Sequence, residues 1–308
     1  MIAQLASTLA VQDLPAHLIQ HTVDALSLGS LYAMFALGIA LIFGVMRLVN
    51  FAHGEMIMIA AYVTVVGSSL AFVPLAALMV GACVLAALVL ERVAFRPVRG
   101  ADPETLLVTS FAVSVFLQSL AEAVFGTTPE SVSLLPQLNS TVVIGGIYLS
   151  TLNLTVLAVS SILLVSLTLF LNRTTIGVQM RAAAEDFRAA RVLGVRANRV
   201  IAVAFALSGL LAAVAAIFLV TQQGSIQPRL GVSVALIAFV ATVIGGMGSL
   251  IGAVAGGMAL GIATIVLDVT LPLDLAPFRD AFLFSLVFLV LVFRPQGLVA
   301  LRAHQTRI

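Results

Sequence analysis

The sequence predicts an all-α integral membrane protein, a polytopic bundle of about nine transmembrane helices with roughly eight to ten as its bounds. Three observations carry this. Apolar residues make up 61% of the 308-residue chain and charged residues 9%, where soluble globular proteins run at roughly 45–50% and about 25%. A soluble fold must cover its surface with polar side chains, and 15 basic and 13 acidic residues are too few for that. The charges are also segregated: residues 25–46, 56–90, 105–121, 131–172, 200–228 and 230–267 contain no Asp, Glu, Lys or Arg. The spans are helices, because an open sheet would leave backbone groups unpaired in lipid.

A hydrocarbon core of about 30 Å needs ~20 helical residues, which places spans at 22–43, 52–72, 74–92, 105–125, 152–171, 200–221, 232–246, 250–268 and 279–293. Pro74 separates the second from the third, and Gly245-Gly246-Met247-Gly248-Ser249 the seventh from the eighth. Residues 1–21 read as a short outward-facing segment without the basic start of a signal peptide. One transmembrane domain then covers 22–294, and 295–308 form a cytoplasmic tail. With the N-terminus outside and nine crossings, all the Arg residues except Arg229 and Arg279 lie inside, as the positive-inside rule requires. Segment 232–246 is short, about 22 Å as a helix. Making it re-entrant would move the C-terminal Arg residues outside and weaken that bias, so nine crossings are preferred.

Composition also excludes chemistry. Every basic residue is Arg. Without Lys there is no Walker phosphate loop and no Schiff base, so any ATP is bound by another chain. Cys83 is the single cysteine, which forbids an internal disulfide and leaves the compartment open. The four His residues (His17, His21, His53, His304) form no His-Glu-x-x-His zinc pattern, and no metal site or catalytic residue is predicted.

Four segments concentrate the polar residues. The first, 172–199, is the longest inward loop, with six Arg against Glu185 and Asp186. Ala182–Leu193 is rich in helix formers, with Gly194 as a stop. Ala183, Phe187, Ala190 and Leu193 recur on one helical face, suited either to lipid headgroups or to a groove on a cytoplasmic partner. The second is Asn50-Phe51-Ala52-His53-Gly54-Glu55, at the inner end of the second span. Asn50 suits an N-cap that accepts a backbone N–H from Ala52 or His53, and Glu55 suits the helix dipole. His53 and Glu55 so near hydrocarbon are costly, which marks a pathway or a moving contact. In the third, Ser110, Ser114, Gln118 and Glu122 stand four apart and make one polar stripe. Its serines suit interhelical hydrogen bonds, and Gln118 and Glu122 could line a wet route. The fourth is glycine-rich: Gly248, Gly252 and Gly256 have the small-xxx-small spacing of close helix packing, and Gly245–Gly248 suits a helix break.

In order along the chain, these segments resemble the permease subunits of branched-chain amino-acid ABC importers, of the LivH-like type. The resemblance runs from about Leu26 to Ala300. It rests on Ser27-Leu28-Gly29-Ser30-Leu31-Tyr32-Ala33, on Leu41 through Glu55 with its Asn-Phe-Ala-His-Gly-Glu run, and on Arg96-Pro97-Val98-Arg99-Gly100. Gly245–Ser249 with Gly252-Ala253, and Phe293-Arg294-Pro295-Gln296-Gly297-Leu298, complete it. It implies an ABC importer permease fold in which a cytoplasmic Glu-Ala-Ala-x-x-x-Gly helix docks on the ATPase. Here the matching residues are Arg188, Ala189, Ala190 and Gly194, with Arg in place of the family's Glu and no downstream Pro.

The implied function is translocation of branched-chain or other hydrophobic amino acids across the bacterial inner membrane by alternating access, without chemistry in this chain. The implied partners are two cytoplasmic ATP-binding subunits, which hold ATP and Mg, a second LivM-like permease, a periplasmic solute-binding protein and the bilayer, with no nucleic acid. The N-terminus is expected in the periplasm and the C-terminus in the cytoplasm. Asn50, His53, Glu55, Tyr62, Ser110, Ser114, Gln118 and Glu122 are the candidate gating and pathway residues. The alternatives are a permease for a small amide or urea-type solute, and an ion-coupled secondary transporter. The latter should hold a carboxylate at mid-membrane, and the spans as drawn place none securely there.

Overall fold

The computed structural model describes residues 14–144, 147–294 and 297–298. The expected outer segment falls mostly outside these residues, as does nearly all of the expected tail. Among the described residues nine apolar helices form the bundle: α1 (Leu14–Met46), α2 (His53–Val66), α3 (Phe72–Leu90), α4 (Pro103–Phe125), α5 (Thr151–Arg173), α8 (Ala197–Gln223), α9 (Leu230–Gly245), α10 (Leu250–Thr270) and α11 (Arg279–Phe293). Two short helices, α6 (Thr175–Glu185) and α7 (Phe187–Val192), lie between α5 and α8.

Local chemistry sets these boundaries. Pro103 opens α4 in the first turn, where its missing N–H costs nothing. Thr174 caps α6 by accepting the Gly177 N–H at 3.0 Å. Ser249 caps α10 by accepting the Gly252 N–H at 2.9 Å. Between α9 and α10 the chain reverses at Gly246 (φ 103°) and Gly248 (φ 90°), so the expected break is present. Gly248 therefore lies in the turn, not on a helix face. α3 runs on into a wide π turn, Glu91–Phe95, whose buried Glu91 pairs with Arg99.

Among the described residues seven helical segments are long and apolar enough to cross a membrane, α11 together with the turn Ala276–Phe278 that leads into it; α2 and α9 are not. The shortness of α9 was expected. That of α2 corrects the span drawn at 52–72: fourteen residues rise only about 21 Å. The remaining length is taken by a buried connection, since Leu48, Val49, Asn50 and Ala52 are all enclosed. α1, α2, α8 and α9 are the most enclosed helices, whereas α4, α5 and α11 expose most of their surface.

Short strands lie in the connections, which helical spans alone did not lead one to expect. β2 (Thr141–Ile144) and β3 (Ile147–Ser150) pair as a hairpin before α5. β1 (Glu130–Ser131) pairs antiparallel with β4 (Ser225–Ile226), with Glu130 opposite Ile226. That ladder straps the α4–α5 connection to the end of α8, where the Val132 N–H also donates to the Gly224 carbonyl at 3.0 Å.

Candidate functional site

The polar residues of α2 and α4 meet. Glu55, in the first turn of α2, has no exposed surface. Its Oε1 accepts the Ser114 hydroxyl at 2.7 Å and the Gln118 amide at 2.9 Å. Gln118 also donates to Ser114 at 3.0 Å. One turn earlier on α4, Ser110 donates to the Val49 carbonyl at 3.1 Å and to Leu107 at 2.8 Å. The four-residue spacing thus puts three side chains of α4 against one partner segment. The stripe ends at Glu122, half-buried, which pairs with Arg229 at 3.5 Å instead of joining the cluster. Beside it, Tyr62 stacks on Phe125 with ring centroids 4.3 Å apart.

Depth is where the structure departs from expectation. Ser114 stands halfway along α4, about 16 Å from its first residue. Glu55 is therefore level with the middle of a membrane-length helix, not with its end. His53 agrees: its Nδ1 shares a hydrogen bond of 2.9 Å with Ser208, near the middle of α8. From Leu48 to Ala52 the connection climbs inside the bundle, and α2 starts at mid-depth. Asn50 Oδ1 accepts the Ala52 N–H at 3.1 Å, so it shapes the turn before α2, although the residue flanking the helix is Ala52.

Three glycines make space for these groups. The His53 ring occupies the place of a side chain at Gly38. A Cβ at Gly54 would meet the Gly231 carbonyl and Ala235, so α2 and α9 touch backbone to backbone. The Glu55 carboxyl fills the space where Gly231 would otherwise carry a Cβ. Gly38, Gly231 and Ser208 were not singled out from the sequence. A glycine within an apolar span carries no signal of what packs on it.

The 172–199 segment differs from the single helix expected over Ala182–Leu193. It folds as α6 and α7, broken at Asp186, whose side chain accepts the Arg188 and Ala189 N–H groups at 2.8 and 2.9 Å. The four residues expected on one face are consequently split. Ala183 and Ala190 are buried and Phe187 is half-buried, while Leu193 is 84% exposed beside Val192 at 87%. Arg188 and Ala189 are exposed. Gly194 (φ 88°) closes α7: its N–H donates to the Arg191 carbonyl and that of Val195 to Ala190, a Schellman turn. Arg47 joins the segment to α1, donating to the Ala184 carbonyl at 3.1 Å.

Comparison with known proteins fits this architecture. The profile of the family described as "Branched-chain amino acid transport system / permease component" matches residues 21–292. The chain belongs to this permease family. Among its relatives is the high-affinity branched-chain amino acid transport system permease protein BraD of Pseudomonas aeruginosa. The two are 34% identical over 301 residues, 92% of this chain and 96% of that protein. LivH of Escherichia coli, of the same description, is 33% identical over 299 residues with the same coverage. A probable LivH of Methanocaldococcus jannaschii is 26% identical over 253 residues, 78% of each chain.

The permease is thus a multi-pass membrane transport subunit rather than an enzyme, and it works with an ATPase and other subunits. Its family sets aside the ion-coupled alternative. Glu55 is a carboxyl group at mid-depth, where the spans drawn from the sequence placed none.

Proposed function

We propose that this permease is one of two in an ATP-driven importer that carries branched-chain amino acids inward across a bacterial inner membrane by alternating access. The observation that carries the reading is α7. Both its ends are fixed, by the Asp186 cap and by the Gly194 turn, and it holds Val192 and Leu193 in the open beside Arg188 and Arg191. Large apolar side chains presented so fully on a rigid knob suit a groove on a partner, and that partner is an ATP-binding subunit holding ATP and Mg. Movement of α7 would reach α1 through α6 and the Arg47–Ala184 hydrogen bond. A LivM-like second permease and a periplasmic solute-binding protein complete the machine; nucleic acid has no part in it. The Arg distribution supports a periplasmic N-terminus and cytoplasmic C-terminus. At the outer end, a cavity of about 380 Å³ walled by Ser131, Val132, Leu135, Asn139, Thr221 and Gly224 suits delivery from the binding protein.

The substrate class follows the relatives' names and is tested by uptake. Gentle extraction of the tagged chain should recover two ATP-binding subunits and a second permease, and the reconstituted assembly should accumulate leucine only with ATP. Recovery of the folded chain alone would overturn the reading. Gly194→Pro should abolish ATPase association while the protein still inserts, since it removes the turn's N–H and cannot adopt φ near 88°.

A further inference from the structure

Buried polar atoms in folded proteins are nearly always paired. Among the described residues the unpaired ones, apart from those of Arg99, are Asn50 Nδ2, His53 Nε2, Glu55 Oε2 and Tyr62 OH. All four belong to α2 or the turn leading into it. Glu55 is the only carboxyl among them. Its Oε1 takes two donors and its Oε2 none. The ion pairs among the described residues join Glu91 to Arg99, Glu122 to Arg229, and Asp268 and Asp280 to Arg279; none reaches Glu55. α4 and α9, which wall it, carry no basic residue. A carboxyl group taken out of water at mid-membrane without a cation is expensive to keep.

The wall in front of it is lightly held. α4 buries only Leu106, Ser110, Ser114 and Ala121, and half of that face is hydroxyl. Along its inner half a groove of about 690 Å³, lined by Ala94, Thr105, Val108, Thr109, Ala112 and Phe116, parts the helix from its protein neighbours on one flank. Its hold on α2 therefore depends on hydrogen bonds to Glu55 and Val49 together with the Tyr62–Phe125 stack.

We infer that Glu55 is the contact for the protonated amino group of the transported solute, with α4 as the movable wall that uncovers it. This rests on the reading of the chain as an amino-acid permease, and it names the recognising group. An ammonium offers three N–H donors. It can replace Ser114 and Gln118 on Oε1 and supply the donor that Oε2 lacks, while bringing the charge the site is missing. When α4 returns, Ser114 and Gln118 take back their bonds and the ammonium is released. Neutral amides and urea bring donors without charge and are poorer occupants.

The test uses the whole importer, with its ATPases, second permease and binding protein, in proteoliposomes. Labelled L-leucine, L-alanine, acetamide and urea are offered to the wild type, Glu55→Gln and Glu55→Asp. Glu55→Gln keeps an oxygen for Ser114 and Gln118 and removes only the charge, so a purely structural Glu55 would tolerate it. The expected result is a loss of amine uptake of about tenfold or more in Glu55→Gln, with Glu55→Asp recovering part of it. Leucine uptake equal to wild type in Glu55→Gln overturns the inference and leaves the branched-chain reading standing. Uptake of alanine but not leucine by the wild type, lost in Glu55→Gln, supports the inference and overturns the branched-chain reading. Uptake of acetamide or urea and of neither amine overturns both. If Glu55→Gln fails to assemble, carbodiimide labelling of wild-type Glu55 during ATP turnover decides. Protection by the amine the wild type carries, and not by acetamide, supports the inference; equal protection by both overturns it.

Discussion

Gly54 and Gly81 are both helical glycines, and their neighbours give an added methyl group opposite fates. At Gly54 it would strike the Gly231 carbonyl and Ala235; at Gly81 it meets nothing within 4 Å. Gly54→Ala should therefore destabilise the protein by about 1–3 kcal/mol, the range for overfilling a packed core. Gly81→Ala should be neutral or gain up to about 1 kcal/mol from reduced backbone freedom. Thermal midpoints of the two variants in one detergent check the pair, and equal shifts would contradict the close approach of α2 and α9. Ser208→Ala leaves His53 Nδ1 without its partner and should lose about 1–3 kcal/mol by the same measurement. Residues that share an element were readable in the sequence: Ser110, Ser114 and Gln118 announce their common face by spacing alone. Ser208 and His53 lie 155 positions apart, and no periodicity links residues on different helices.

Among the elements, α7 shows what helix propensity misses. Ala182–Leu193 contains only residues that tolerate a helix, so propensity runs straight through Asp186. Yet an aspartate accepting two backbone N–H groups ends one helix and starts the next. Asp186→Ala should weaken α7 by about 0.5–2 kcal/mol and reduce the ATP-binding subunits recovered with the chain. Asp186→Asn, an equally good cap, should restore them. A variant Asp186→Ala that recovers full stoichiometry would separate the cap from docking. The length of α2 was hidden for a different reason. Hydropathy reports which residues avoid water, and the connection from Leu48 to Ala52 avoids it inside protein as well as a helix does in lipid. The stop was nearer the surface of the sequence, in Gly67-Ser68-Ser69, where α2 has just ended.

For the whole molecule, the number and order of the apolar helices were legible because lipid imposes one rule on every span. Which helices are enclosed was not, since core and lipid-facing helices are equally apolar. Orientation is open to direct measurement, and the chain suits it. Its one thiol, Cys83, is buried and donates to the Met56 carbonyl at 2.9 Å, so background labelling should be low. A membrane-impermeant maleimide should label Ser133→Cys in spheroplasts, and Ala101→Cys only after permeabilisation, both sites being exposed. The reverse pattern would invert the topology.

α10 is gripped on two sides backbone to backbone. Gly252 and Gly256 lie against Gly245 and Ala241 of α9, while Gly257 and Gly261 lie against Ala33 and Gly29 of α1. Contacts of this kind have no rotamers to exchange, so they cannot yield by degrees; they hold, or they part altogether. In mechanical terms these close approaches tie α1, α9 and α10 into a single stiff body. Any stroke delivered to the end of α1 would turn that body as a unit, and the deformation would have to be taken up at its soft margins, of which the seam along α4 is one.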